Sequence, residues 1–421
     1  MAFDGGAVRL SRPGRDPVPS GGVGPSCDLL VVGGGPAGAA AAIRGAAAGL
    51  SVVVCDKATF PRDKTCGDGL TASALRLLER LGLEPSVVAG WQPVAGVALR
   101  SPSGRVVELP LPGDGCFAVV APRAALDAAL LDVAARRGVE VRQGAALESL
   151  RSGAEAIEAV VGGEAIAARY VVAADGMYST VRRLSGGGAG GPHLGEWHAF
   201  RQYFTGVPDQ RLWILFEPDL LPGYAWVFPV AGGRANVGFG LPRRPGVSVR
   251  PMAAQWRELL QRPALRALLG SAEPEGQHRA WPIPADIGRA PLSAGRVLFA
   301  GDAAGATDPM TGEGIAQALV TGVLAAEAVA AEGDDPAAVG RRYGAAVEHH
   351  LVADLRFAAA LAAVLRSRAG ARAAVRAAGL TPWTRRHFAR WMFEDYPRAL
   401  VLTPSRWRRG VFTGPGAYRA A

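Results

Sequence analysis

The sequence predicts an α/β fold, α+β overall: a parallel-sheet domain assembled from discontinuous segments, an inserted antiparallel sheet, and a helical C-terminal region. Three observations carry this reading. Short apolar runs at 27–32, 51–55, 169–175 and 296–302 each end in Gly or Asp and lead into loops or helical patterns. A block from about 191 to 287 alternates aromatic and small residues in short strand patterns. The last part of the chain sets Arg into an Ala/Leu/Val pattern of helical period. The boundaries drawn from these are a disordered tail at 1–26, a ligand-binding α/β domain at 27–90, 119–190 and 285–335, a sheet domain at 91–118 and 191–284, and a helical region at 336–421.

At 421 residues and 49% hydrophobic content, the chain can bury a large core, and its length suits two or three domains. The longest weakly polar run, 314–333, has Glu313, Gln317 and Glu327 at or within its ends, so it reads as a packed helix and not a span. The tail is rich in Gly, Pro and Arg and lacks the apolar core of a signal peptide. Cys27, Cys55, Cys66 and Cys116 have no C-x-x-C spacing and read as reduced thiols of a cytoplasmic protein. With no H-x-x-x-H or H-E-x-x-H, no metal site is expected, and His349-His350 reads as a surface pair. The net charge of +9 comes almost wholly from Arg, since Lys57 and Lys64 are the only lysines. Spread charge of this kind argues against nucleic acid. Arg356, Arg366, Arg368, Arg372 and Arg376 concentrate it, either as a solvated helix face or as a peripheral contact with the inner face of a membrane.

The first apolar run, CDLLVV, leads into Gly33-Gly34-Gly35-Pro36-Ala37-Gly38 and an Ala-rich helical pattern. This strand, turn and helix form a Rossmann-like unit. Gly33 permits the tight turn, Gly35 lets backbone approach a pyrophosphate at the helix N-terminus, and Gly38 lets helix and strand pack closely. Asp56 ends the next run, placed to accept from a ribose hydroxyl, with Lys57 beside it. The GGGAGG tract at 186–191 also fits G-x-G-x-x-G, but no strand precedes it, so it reads as a loop. One such unit suits NAD or FAD equally. Two later segments, RYVVAADGMYSTVR ending its strand at Asp175-Gly176 and RVLFAGDAAGATDPMTGEG at Gly301-Asp302, set further acids at strand carboxyl ends.

The order of these three segments resembles the FAD-dependent flavoproteins of the p-hydroxybenzoate hydroxylase-like superfamily. That resemblance implies that Asp302 holds ribityl or ribose hydroxyls, and that the loop from Pro309 through Gly312 to Gly314 offers N–H groups to the flavin N1/C2=O edge. A helix N-terminus there would stabilise the negative charge of reduced flavin. Arg123 matches the arginine which that superfamily places near the cofactor, or else sits on a helix surface.

In the aromatic block, Tyr224-Ala-Trp226-Val-Phe228-Pro229 is followed, after eight intervening residues, by Gly238-Phe239-Gly240. This Y-x-W-x-F-P…G-x-G spacing resembles the substrate motif of the geranylgeranyl reductase family, as does the 60–70 loop, FPRDKTCGDGL. The resemblance spans roughly 28–331. It implies reduction of isolated C=C bonds in a prenyl lipid, by hydride from reduced flavin with proton delivery. Trp226 and Tyr224, two apart on one strand face, would stabilise developing positive charge by about 0.5–2 kcal/mol, and Phe228 continues that face. The loop carrying Lys64, Cys66 and Gly69 would lie beside the flavin ring. A thiol near an ammonium is expected to ionise more easily than free Cys, making Cys66 a proton relay or an alkene-positioning group. Lys64 and Asn236, the only Asn in the chain, join Gly67, Phe228, Gly238 and Gly240 as expected substrate contacts.

Electrons would come from NAD(P)H docking transiently, or from a reduced ferredoxin or separate reductase. The first alternative is an FAD-dependent monooxygenase acting on an apolar or aromatic substrate. A halogenase is weaker, since Trp281-Pro282-Ile283-Pro284 only superficially echoes W-x-W-x-I-P. A non-catalytic lipid carrier is the alternative from another class.

Overall fold

The computed structural model describes residues 26–186, 195–243, 252–407 and 410–419. The expected tail before residue 26 and the GGGAGG tract beyond Gly186 lie outside the described residues. The first sheet runs in the order Ser293–Ala294, Val297–Phe299, Glu164–Ala173, Ser26–Val32, Val52–Asp56, Glu140–Gln143, with Ile157–Val161 and Leu147–Ser152 extending from Glu164–Ala173. From Val297–Phe299 to Glu140–Gln143 the pairing is parallel. These strands are near-continuous Val/Leu/Ala because both faces are covered. Register then positions the site. Val32 pairs with both Cys55 and Ala173, and Ala173 with Phe299, so the segments after all four strands emerge together at one edge.

Two helices cover one face and meet through glycine. Pro36–Ala47 packs against Ile315–Glu332, and a Cβ at Gly322 would stand 2.1 Å from Ala37 O. Ile315–Glu332 is the one helix among the described residues long and apolar enough to cross a membrane, and 78% of it is buried in this core.

The second sheet runs Glu273–Ile283, Trp197–Thr205, Arg234–Pro242, Tyr224–Val230, Leu212–Leu215, Gly96–Arg100, Val106–Pro110, antiparallel except between Leu212–Leu215 and Gly96–Arg100. Alternation divides its faces. Ala225, Val227, Phe200 and Phe239 pack under Met252–Leu260 and Pro263–Leu269, while Tyr224, Trp226 and Phe228 face the other way. A three-stranded sheet of Gly69–Thr71, Ala118–Val120 and Gln92–Pro93 links the two. The helices Ala353–Leu365, Arg368–Ala378 and Pro382–Met392 then fold back over the open face.

Candidate functional site

One cavity of about 660 Å³ runs from the glycine turn to the C-terminal helices. At its α/β end, Gly33 has φ +106°, and a Cβ there would meet Ala174 O at 2.3 Å. Gly38 takes no part in the lining; its missing Cβ would overlap Gly33 O at 1.8 Å, so it serves helix packing. Gly35 opens onto the cavity between two guanidinium groups, since its Cβ position lies 3.6 Å from Arg62 Nη2 and 3.8 Å from Arg123 Nη2. Arg123 is buried and is not a helix-surface residue. Asp127 clamps it through Nε to Oδ1 at 2.8 Å and Nη2 to Oδ2 at 2.7 Å, and Arg62 reaches the same carboxylate at 3.1 Å. Asp56 accepts from Gly34 N at 2.7 Å and Ala58 N at 2.8 Å, fixing the turn, and lines the cavity with Lys57. Asp175 accepts from Val181 N at 3.0 Å, while its buried Oδ1 lacks a protein partner. Asp302 lines the same end, with Lys64 Nζ 3.7 Å from its Oδ2.

The 60–70 loop crosses to the second sheet and lies on its aromatic face. Rings of Phe216, Tyr224, Trp226 and Phe228 follow one another at 6.2, 6.1 and 6.0 Å. Cross-strand register explains the G-x-G. Gly238 pairs with Trp226 and Gly240 with Tyr224, and a Cβ on Gly238 would stand 2.4 Å from Trp226 Cζ2. The glycines make room for large rings on the neighbouring strand. Gly67 and Gly69 let the loop approach to 3.3 and 3.4 Å from Phe228 Cε2, measured from their absent Cβ positions. Two separate motifs thus become one wall.

Behind this wall is a polar network. Asn236, fully buried, accepts from Trp226 Nε1 at 3.0 Å and donates to Cys66 O and Asp68 Oδ2, both at 2.8 Å. Asp68, at φ +64°, also accepts from the Tyr203 hydroxyl and, at 3.3 Å, from Arg123 N; its own N–H donates to Cys66 Sγ at 3.3 Å. Burial pushes Asp68 up to about 6, despite hydrogen bonds from Tyr203 and Asn236 that lower it.

Several expectations change here. Burial pushes the Cys66 thiol up to about 11, outweighing Arg123, so it is a neutral thiol and not an easily ionised one. Lys64 is not its partner: the ammonium lies 4.1 Å over the Trp281 ring and beside Asp302, towards the α/β end. Asn236 and Gly238 stand behind the wall and do not line the cavity, because one carries the hydrogen bonds and the other leaves space. Pro309 is likewise off the lining. The N-terminus of Ile315–Glu332 is not free, since Glu313 Oε1 accepts from Ile315 N at 3.0 Å and Ala316 N at 3.1 Å.

The far wall was not legible as a site. Leu361, Val364 and Leu365, then Phe388, Trp391 and Met392, close the cavity from the C-terminal helices. Beneath them Asp308, Glu394 and Arg398 form a second polar cluster. No cluster of potential metal ligands occurs among the described residues. His349 and His350 meet edge-on at 4.9 Å, and only His349 is exposed.

A parallel sheet with a glycine turn, two flanking cations and acids at its carboxyl edge defines a dinucleotide flavoprotein, and residues 26–337 match the family described as FAD binding domain. The chain is 35% identical over 332 residues to a menaquinone reductase of Mycolicibacterium smegmatis, covering 73% of this chain and 77% of that one. It is 30% identical over 334 residues to digeranylgeranylglycerophospholipid reductase 1 of Methanopyrus kandleri, covering 74% and 83%. A solved geranylgeranyl bacteriochlorophyll reductase-like protein of Thermoplasma acidophilum shares the fold, with TM-score 0.74 at 22% identity over 91% of this chain and 99% of that one. The chain belongs to the geranylgeranyl reductase family of FAD-dependent oxidoreductases. Its residues fit FAD: the open Gly35 between Arg62 and Arg123 suits a pyrophosphate, and the unpartnered Asp175 Oδ1 suits a hydroxyl.

Proposed function

We propose that this protein reduces isolated C=C bonds of a prenyl lipid. The named relatives act on a quinone and on a glycerophospholipid, whose common part is a prenyl chain. The observation that carries the reading is the continuity of one cavity from the glycine turn, past the Tyr224–Trp226–Phe228 ladder, to an apolar far wall. Gly33, Gly35, Pro36, Ala37, Asp56, Lys57, Arg123, Asp175, Gly301, Asp302, Gly312 and Gly314 are the residues that would hold FAD, which supplies the hydride when bound.

The protein's own part is to exclude water, place one double bond and manage charge. Leu361, Phe388 and Trp391 take the apolar chain, a gain of about 0.8 kcal/mol per buried methylene. Trp226 and Tyr224 turn π-faces to a carbon that becomes positive as it is protonated. Tyr224 is fixed by its hydroxyl on Thr311 O, and Trp226 by Asn236. Cys66, held by Asp68 N–H and by Asn236 on its carbonyl, takes part in proton delivery or positions the alkene. NAD(P)H or a ferredoxin-type protein would return electrons, and the Arg-rich C-terminal face would rest on an anionic membrane.

Mass spectrometry of prenyl lipids incubated anaerobically with dithionite-reduced enzyme tests this. A gain of two hydrogens per double bond is expected. An oxygen gained only in air with NAD(P)H would establish the monooxygenase alternative instead.

A further inference from the structure

Glu313 is an acid on the cavity wall to which the reaction above gives no task. Its carboxylate sits at the N-terminus of Ile315–Glu332, next to Tyr224 and Thr311 in the lining. Asp308 and Glu394 lie behind it with a single guanidinium, Arg398. Glu394 accepts from Gln317 Nε2 at 3.0 Å and Arg398 Nη2 at 3.3 Å on Oε1, and from Thr71 Oγ1 at 3.1 Å on Oε2. Arg398 Nε stands 3.3 Å from Asp308 Oδ2. Three carboxylates therefore share one cation away from bulk water, and the cheapest relief of that excess is to retain a proton. Burial, then the Glu394 charge, pushes Glu313 up to about 8, and burial raises Glu394 as well. The other titratable neighbours, Tyr224 and Cys66, are both neutral at pH 7.

A second, small chamber of about 30 Å³ adjoins this cluster; Asp308, Gln317, Asp354, Glu394 and Arg398 line it together with apolar side chains such as Leu351 and Leu355. Gln317 Oε1 and Arg398 Nη1 are buried without a hydrogen-bond partner, while Asp308 Oδ2 and Arg398 Nε meet only as the ion pair at 3.3 Å. Its size and the two bare polar atoms beside an ion pair suit a bound water. Asp354, paired with Arg406 at 2.7 Å and partly exposed, forms the outer side.

We propose that Glu313 is the acid that supplies the proton consumed at each double bond, reloaded from the Asp354 side through chamber water and Glu394. The proposal rests on the reductase reading and deepens it. The alkene π pair takes the Glu313 proton at one carbon while hydride from reduced flavin bonds to the other. Glu313 is left as carboxylate and the flavin two electrons poorer; water returns the proton and the NAD(P)H- or ferredoxin-type donor returns the electrons. Of the other candidates on the lining, the Cys66 thiol holds its proton too tightly, and Asp68 has both carboxylate oxygens already accepting, from Arg123 N on Oδ1 and from Tyr203 and Asn236 on Oδ2. Cys66 keeps the positioning role.

The test is anaerobic reoxidation of the reduced holoenzyme by geranylgeraniol in detergent micelles across pH, followed at the flavin absorbance. The wild-type rate should be level below neutrality and fall about tenfold per pH unit above about 8. Glu313→Gln should slow it at least ~100-fold with FAD and lipid affinities within about twofold. Glu394→Gln, by removing a negative neighbour, should move the alkaline limb to lower pH. Independently of turnover, infrared titration should show a protonated-carboxyl band at pH 7 that disappears above about pH 8 in the wild type and is missing in Glu313→Gln. An unimpaired Glu313→Gln, an unmoved limb in Glu394→Gln, or no such band overturns the proposal and leaves the reductase reading standing. No reoxidation by the wild type overturns both.

Discussion

Replacing Asn236 by Ala removes three hydrogen bonds at once from a side chain with no exposed surface. Two are neutral, to Trp226 Nε1 and from Nδ2 to Cys66 O, each with a net contribution of about 1 kcal/mol; the third, to Asp68, is charge-assisted and contributes about 1.5–3 kcal/mol. Ala also leaves the indole N–H, the Cys66 carbonyl and one Asp68 oxygen short of a partner, and the emptied volume is too enclosed to rehydrate all three. Relaxation and the surviving Tyr203 bond to Asp68 offset part of this. The expected loss is about 3–4 kcal/mol, near the upper end for point variants. Urea denaturation of the FAD-free protein measures it. Because Trp226 and the 60–70 loop lose their common tether, anaerobic turnover should fall further than FAD affinity does. Should the variant fail to fold, Trp226→Phe deletes only one of the three bonds and should cost about 1–2 kcal/mol. A loss under about 1 kcal/mol for Asn236→Ala would refute the network as the support of the wall.

Gly322→Ala gains about 1 kcal/mol of helix propensity but sets a Cβ 2.1 Å from Ala37 O. Backbone cannot yield as a side chain can, so overpacking should win by about 1–2 kcal/mol net and weaken FAD binding, read by denaturation and by flavin fluorescence titration. On the C-terminal face, Leu380 and Trp383 are 66% and 68% exposed beside Arg372, Arg376, Arg385 and Arg386, and 355–393 contains no acidic residue. Flotation with anionic vesicles should show salt-sensitive binding that the double variant Leu380→Gln/Trp383→Gln weakens at least about tenfold. Equal binding to neutral vesicles, or no effect of the pair, would remove the membrane reading.

What was legible in the sequence is what backbone geometry dictates. Gly33 and Gly38 admit no side chain, and acids at strand ends recur at fixed distance from them, so the α/β half could be read residue by residue. The Y-x-W-x-F-P…G-x-G spacing was also legible, because hairpin register pairs Trp226 with Gly238. Asn236 was singled out but assigned to the substrate, since a pairing to Trp226, Cys66 and Asp68 depends on a loop 168 residues away. Arg62 and Asp68 lie within the FPRDKTCGDGL loop and Glu313 within the 309–314 loop, yet nothing in those patterns gives the three their roles. Their meaning comes from burial and from which charges face them, and neither quantity has a period in the chain. The thiol of Cys66 misled for the same reason: Lys64 is near in sequence, yet desolvation governs the proton.

The C-terminal helices complete the contrast. A reacting double bond must be placed to within a fraction of an ångström of donor and acid, so the residues around it are tied by register and hydrogen bonds, and that leaves a motif. The rest of a prenyl chain offers nothing but methyl and methylene surface, and any apolar side chain of suitable volume can meet it. Leu361, Val364, Phe388 and Trp391 therefore need only helical periodicity to line the cavity, the same pattern that an ordinary core helix would show. Chain-length preference should accordingly depend on the volumes of those side chains, and the chemistry on Trp226, Cys66 and Glu313. On the proposed reading, a cavity divided in this way would let one wall serve lipids of different headgroup and length, with the difference written where no motif is required.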